Sequence, residues 1–237
     1  MASIQTPQGK LYYKPVNLYL GIKQIDRDVA YKNLVILLNV MEQNKILVSP
    51  AYGTLLGIVR ENNFIEWDED IDLFVLEEDK QKLLNVFWEL KKVGFELVRV
   101  DRGGLLYSVM RHGEYIDFYI MQKLTPEIRY SGGGFMLDRH LTEVTDWTFR
   151  DVNVKIPKDY NECLTLLYGD WKTPVKYADF HLSKQKVFMI KIINKIKMSL
   201  PDKISLWLVK KYHRKDFVKF MHRCKKCGIV FKYPVYY

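Results

Sequence analysis

The chain has 237 residues, 48% of them hydrophobic, enough to bury one good core with an appended subdomain. No run of eighteen uncharged apolar residues occurs, so no membrane-spanning helix is expected, and MASIQTPQGK lacks the basic flank and apolar stretch of a secretory leader. The net charge of +9 is lopsided: residues 183–237 carry fifteen Lys and Arg against Asp202 and Asp216, a balance of +13 that leaves −4 on the first 182.

Residues 1–24 show little periodicity and read as a loop or short strand. From Asp26 to about Lys45, Val29, Leu34, Leu37, Leu38 and Met41 recur at helical spacing and predict a core-packed helix. A short strand, Ile46–Val48, leads into Ser49–Asp72, around which the chain is organised. Here Gly53-Thr54-Leu55-Leu56-Gly57 reads as a glycine-flanked turn opening a short apolar helix. Backbone N–H groups at such a helix start form an anion site, and glycine allows close approach of a phosphate. On this reading Gly53 and Thr54 cradle phosphate, and Arg60 adds a charge-assisted contact.

The acids Asp68, Asp70 and Asp72 then run into the apolar Leu73-Phe74-Val75-Leu76. Strand alternation puts Asp70 and Asp72 on one face and Ile71 and Leu73 in the core. Two carboxylates side by side repel unless a cation lies between them, and oxygen-only ligands suit Mg²⁺ or Mn²⁺. Asp68 joins that face if the strand starts early; otherwise it caps or orients the turn.

Glu78–Val93 predicts an amphipathic helix closed by Gly94, followed by strands at Phe95–Val100 and Leu105–Arg111. Tyr115-Ile116-Asp117-Phe118-Tyr119-Ile120 is a third strand, with one acid inside an apolar run. Such an acid is costly unless charge or hydrogen bonds compensate it, which singles out Asp117 as a candidate site residue. Residues 127–139, with glycines at 132–134, read as a flexible loop. Leu141–Val154 reads as a β-hairpin, and Pro157–Leu167 as the start of a helix with Asp159 as N-cap.

Beyond Lys184, lysines alternate with apolar clusters, including Ile192-Ile193 and Trp207. Pro201-Asp202 divides the stretch into two helices. A basic amphipathic helix suits an anionic membrane surface, and equally a helix packed on the core with a solvated basic face. No nucleic-acid recognition module accompanies the charge, so no nucleic-acid partner is expected. One Cys224-x-x-Cys227 pair near His213 and His222 is short of the usual four zinc ligands, and three cysteines suit free thiols in a reducing cytoplasm.

Tyr52-Gly53-Thr54-Leu55-Leu56-Gly57, Val59-Arg60 and Phe64-Ile65-x-Trp67-Asp68-x-Asp70-Ile71-Asp72 resemble the signature of the LicD/fukutin-like phosphotransferases, within the nucleotidyltransferase-fold superfamily. The Asp117 strand and Tyr168-Gly169-x-Trp171-x-x-Pro174 extend the resemblance over Ser49–Pro174. It implies an α+β fold, a nucleotidyltransferase-like mixed sheet with flanking helices. Residues 1–182 would form the catalytic domain, and 183–237 a basic C-terminal helical tail. Asp70, Asp72 and Asp117 would hold one or two Mg²⁺, and Asp117 could also accept the acceptor's proton. The implied reaction moves a phosphate-linked alcohol, such as phosphocholine or a polyol phosphate, from a CDP-activated donor to a cell-surface or lipid-linked glycan. The alternative with the same acids is nucleotidyl transfer to a small molecule, a protein or an RNA end. The expected place is the cytoplasm, with peripheral contact at the inner membrane face through the tail.

Overall fold

A computed structural model describes residues 1–16, 18, 24–101, 103–132, 134–174 and 202–233. Its centre is a mixed sheet in the order β3-β4-β7-β6-β5, formed by Val48–Pro50, Ile71–Leu76, Glu114–Thr125, Leu106–Arg111 and Glu96–Val100. β4 and β7 run parallel, and the other neighbours are antiparallel. β7 is twelve residues long and outlasts its partners, so its C-terminal end pairs instead with β8 (Ile128–Ser131), which pairs with β9 (Gly134–Leu137). The architecture is the expected α+β one.

Helix α1 (Arg27–Gln43) starts where Asp26 accepts the N–H groups of Asp28 and Val29, both at 3.1 Å. It buries Ala30, Leu34, Leu37 and Met41. Helix α3 (Lys80–Lys92) buries Leu83, Leu84, Val86, Phe87 and Leu90, and ends at Gly94, whose φ of 91° few side chains tolerate. The Phe87 ring lies 5.5 Å from that of Tyr107 and 6.1 Å from that of Phe118, a cross-strand pair. One face of the sheet is therefore packed against α3. By alternation the neighbours Ser108, Asp117 and Asp72 belong to the other face.

Four segments differ from the expectation, one of them the hairpin expected at Leu141–Val154, which runs from Val144 to Pro157 after a short helix that takes up Leu141. The lead-in forms a hairpin, β1 (Ala2–Thr6) with β2 (Gly9–Tyr13), anchored by buried Leu11 and by the Trp88 indole donating to Thr6. The strand before the turn sits two residues later than expected, because Ala51 N–H donates to the Asp72 carbonyl and keeps Val48–Pro50 in the sheet. The glycine-rich stretch is the β8–β9 hairpin rather than a flexible loop. Its apolar residues Ile128, Phe135 and Leu137 are buried against Leu166, Phe217, Phe220 and Cys224.

The remaining elements are α4 (Arg139–Thr142), the hairpin of β10 (Val144–Phe149) and β11 (Val152–Pro157), α5 (Tyr160–Tyr168) and α6 (Asp202–Lys226). Asp159 caps α5 by accepting Glu162 N–H at 3.2 Å. The C-terminal half of α6 lays Phe217, Phe220 and Cys224 onto the β8–β9 hairpin while Arg214, Lys215, Lys219, Arg223, Lys225 and Lys226 stay exposed. The first of the two predicted tail helices, with Ile192 and Ile193, lies outside the described residues.

Candidate active site

Helix α2 (Tyr52–Glu61) is joined to strand β4 by a loop that lies close over the helix. A methyl group on Gly53 would overlap the Asp68 carboxylate, whose Cγ would stand 3.3 Å away. One on Gly57 would meet the Asn63 carbonyl at 2.5 Å and Ile65 N at 3.0 Å. The two glycines thus let the 62–70 loop fold back over α2 and deliver the acids. Thr54 completes the join: it is buried, and its hydroxyl accepts the N–H of Asp72 at 2.9 Å. That hydroxyl holds β4 to the helix and faces inwards rather than towards a ligand.

The parallel pairing sets Asp72 opposite Asp117, and Ile71 opposite Ile116. Asp70 stands immediately before β4. One ligand oxygen from each of Asp70, Asp72 and Asp117 lies within 4.8 Å of the others, the one such group of potential metal ligands among the described residues. Oδ1 of Asp72 and Oδ1 of Asp117 are both buried without a hydrogen-bond partner among those residues. Buried carboxylate oxygens normally find donors, so two orphans pointing into one acid cluster mark a place for a cation. The donor set is oxygen only, the kind that Mg²⁺ and Mn²⁺ take.

The surroundings keep the acids protonated more readily than usual. Asp70 and Asp72 are raised well above the carboxylate range, first by burial and then by each other's group: Asp117 and Asp68 press on both, Glu69 on Asp70, and Asp70 on Asp72. Burial also raises Asp117, opposed by the adjacent Arg99. Asp68 is pushed up to about 6 by burial, with the Glu69 N–H pulling the other way. It does not extend the strand face. It lies against Gly53, its N–H bonded to the Ile65 carbonyl and its own carbonyl to Ile25 N–H.

Four residues of this face escaped the sequence reading. Tyr115 hydrogen-bonds to Asp70 and Tyr119 to Asp72, and Arg99 and Ser108 both bond to Asp117. For the tyrosines a signal existed: they stand two residues either side of Asp117 on one strand, so alternation puts all three on one face. Tyr119 and Phe74 then stack edge-on with Tyr52, at 5.2 and 5.0 Å, and wall one side of the acids. Arg60 is engaged by protein groups. It sits in the last turn of α2, about 10 Å along the axis from Gly53, bonded to Glu61 at 2.5 Å and to the Trp171 carbonyl at 3.3 Å. Trp171 is buried. Cys224 is buried in the α6 cluster and Cys227 is exposed, both as free thiols.

The sequence model of the LicD/FKTN/FKRP nucleotidyltransferase domain matches residues 48–167. The chain belongs to this family. The matched span starts at β3 and ends in α5, so it holds all three acids. The uncharacterized protein RP689 of Rickettsia prowazekii is 25% identical over 146 residues, 58% of this chain and 52% of that protein. The lipopolysaccharide cholinephosphotransferase LicD of Haemophilus influenzae is 38% identical over 48 residues, 20% of this chain and 18% of that protein. The chain thus spans about half the length, or less, of the curated relatives it matches. Among solved structures, the lincosamide antibiotic adenylyltransferase LnuA aligns at 15% identity with a TM-score of 0.42, over 70% of this chain and 96% of LnuA. Family membership makes this a transferase domain of the nucleotidyltransferase type. No helix of the described residues is long and apolar enough to cross a membrane.

Proposed function

We propose that the chain is a Mg²⁺- or Mn²⁺-dependent phosphotransferase that moves a phosphate-linked alcohol from a CDP-activated donor onto a glycan hydroxyl. The observation that carries this reading is the convergence of Asp70, Asp72 and Asp117 within 4.8 Å, with two buried, unpartnered carboxylate oxygens. The likeness to a lipopolysaccharide cholinephosphotransferase supports the substrate class.

Asp70, Asp72 and Asp117 would hold the divalent ion, which when bound offsets charge on a diphosphate and on the departing nucleoside monophosphate. The chain's own part is to position and to exclude. β4 and β7 hold the acids in register, Tyr115 and Tyr119 steady Asp70 and Asp72, and the Tyr52–Phe74–Tyr119 stack shields one flank from water. Gly53, lacking a side chain, makes room at the start of α2 for the Asp68 carboxylate, which therefore stands where a phosphate cradle was expected. The exposed basic face of α6 offers a surface for the anionic head groups around a lipid-linked acceptor.

The test is a donor screen with Mg²⁺, scoring CMP release from CDP-choline, CDP-ribitol, CDP-glycerol and CDP-ethanolamine against Asp72→Asn. CMP release that depends on both the ion and Asp72 is expected. Pyrophosphate release from a nucleoside triphosphate, with no CMP from any donor, would replace this reading with nucleotidyl transfer.

A further inference from the structure

The row of side chains that crosses the sheet at Asp117 does not stop at the acids. Asp72 pairs with Asp117, Asp117 with Ser108, and Ser108 with Arg99, one residue from each of four adjacent strands. At about 4.8 Å per strand, Arg99 starts some three strands from Asp72 and reaches back over Ser108. Its Nε donates to the Ser108 hydroxyl at 2.8 Å, and its terminal nitrogen pairs with Oδ2 of Asp117. The guanidinium also lies 6.0 Å from the Tyr115 ring centre, and Tyr115 itself hydrogen-bonds to Asp70.

Arg99 is on this face because of an irregularity in β5. Leu97 pairs with Val109 and faces α3, and the next paired residue is Arg99, opposite Ser108, so Val98 is an extra residue in the strand. In a straight ladder Val98 would face Ser108 and Arg99 would share the helix-packed side with Leu97. The bulge turns Arg99 over to the acids, the re-aiming that bulges beside functional sites perform.

We propose that Arg99 is a positioning residue of the carboxylate centre: it occupies Oδ2 of Asp117 and thereby presents Oδ1 as that residue's ligand atom for a divalent cation. The inference rests on reading the three acids as a cation site. Oδ1 is the oxygen that the fold leaves buried and unpartnered, while Oδ2 is spoken for. An Asp117 so engaged serves as a ligand with a fixed orientation, and the acceptor's proton goes elsewhere. Ser108 supports the same geometry, accepting from Arg99 and bonding to Asp117.

Charge and position give opposite signs, which makes the idea testable. If Arg99 only offset negative charge, removing it would tighten cation binding, and Lys would replace it. If it orients Asp117 through its forked geometry, Arg99→Met and Arg99→Lys both weaken binding, because Lys cannot reproduce two fixed donors. Mn²⁺ binding to the full chain, read from the free-ion signal in electron paramagnetic resonance, should weaken about tenfold in both variants, the usual scale for a group that orients a metal ligand. Ser108→Ala should weaken it less, and it keeps the test open if an Arg99 variant fails to fold by circular dichroism. Unchanged or tighter binding in Arg99→Met, or wild-type binding in Arg99→Lys, overturns the inference while leaving the cation site standing. Absence of any Mn²⁺ binding sensitive to Asp72→Asn in the parent chain overturns the site and the inference together.

Discussion

Two clusters of buried charge can be compared within this domain, one around Arg129 and one around Asp117. Arg129 on β8 has a side chain only 2% exposed, yet every direction it points in is answered. Its Nε donates to Asp138 at 2.6 Å, and its two terminal nitrogens grip Glu78, each at 2.7 Å. A further bond reaches the Met121 carbonyl at 3.1 Å. The acid centre is built the other way. Of its three carboxylates only Asp117 pairs with a guanidinium, that of Arg99, and two oxygens are left without a donor among the described residues. Burying charge costs several kcal/mol unless it is paired. The contrast is what the proposed cation site would require: one cluster closed by its own residues, the other completed by a divalent ion.

Replacing Arg129 attacks the saturated side and carries the largest expected effect on stability. Arg129→Met leaves Asp138 and Glu78 facing each other across an apolar stem. Glu78 is 57% exposed and can turn to water, so the loss belongs at the low end for a broken buried pair, about 3 kcal/mol by urea unfolding. The folded fraction should keep its metal binding. A loss within about 0.5 kcal/mol, the range of an ordinary surface change, would remove the contrast between the clusters. Asp72→Asn is the mirror experiment. Without divalent ions it relieves repulsion and places an amide donor among the acids, so the variant should be more stable than its parent by on the order of 1 kcal/mol, while losing turnover. A destabilised Asp72→Asn would mean that the acids already satisfy one another.

The sequence makes one of these clusters far easier to see than the other. Asp70 and Asp72 stand at a spacing of two before an apolar strand, and Asp117 is a lone acid in another, so period-two alternation already gathers the acids on one sheet face. Arg99 follows the same alternation to the wrong face, since the extra residue at Val98 inverts the period and leaves no mark in the amino-acid string. Thr54 is visible as a hydroxyl beside a glycine, but its direction, inward to Asp72 N–H, is set by how α2 docks on β4. Arg60 is visible as a cation on α2, but its partners, Glu61 and the Trp171 carbonyl, are set by how the chain after α5 packs against that helix. Arg129 is hidden because the glycines after it suggest a loop. Only the packing of α6 onto Phe135 and Leu137, contacts between distant parts of the chain, makes that segment a buried hairpin. Local periodicity is legible; bulges, docking directions and long-range burial are not.

Acid sharpens the comparison with the smallest but most diagnostic effect, because the two clusters respond to pH with opposite signs. The grip of Arg129 lowers Glu78 to about 2 from its ordinary 4.5. The unfolded chain then binds a proton before the folded one does, so the stability Glu78 contributes is full above pH 4.5 and is lost as pH falls towards about 2. Asp68 runs in reverse, pushed up to about 6 from 3.8 by burial, and Asp70, Asp72 and Asp117 are raised as well. For these the folded chain takes up protons first, so its stability in EDTA should rise as pH falls from above 6 towards 3.8. Urea midpoints followed downward from neutral pH should therefore climb, pass a maximum near the ordinary carboxylate range, and then drop. Saturating Mg²⁺ should flatten the climb, since a bound ion holds the acids in their charged form. Asp72→Asn should flatten it without the ion, and Arg129→Met should soften only the acid-side drop. Burial holds His140 below its ordinary 6.5 and so works against the climb, which makes the difference between parent and Asp72→Asn the deciding reading. Profiles in EDTA that run parallel from neutral pH down to about 3.8 would show that Asp72 is not repelled by its neighbours, and the open cluster would then be no different in kind from the closed one.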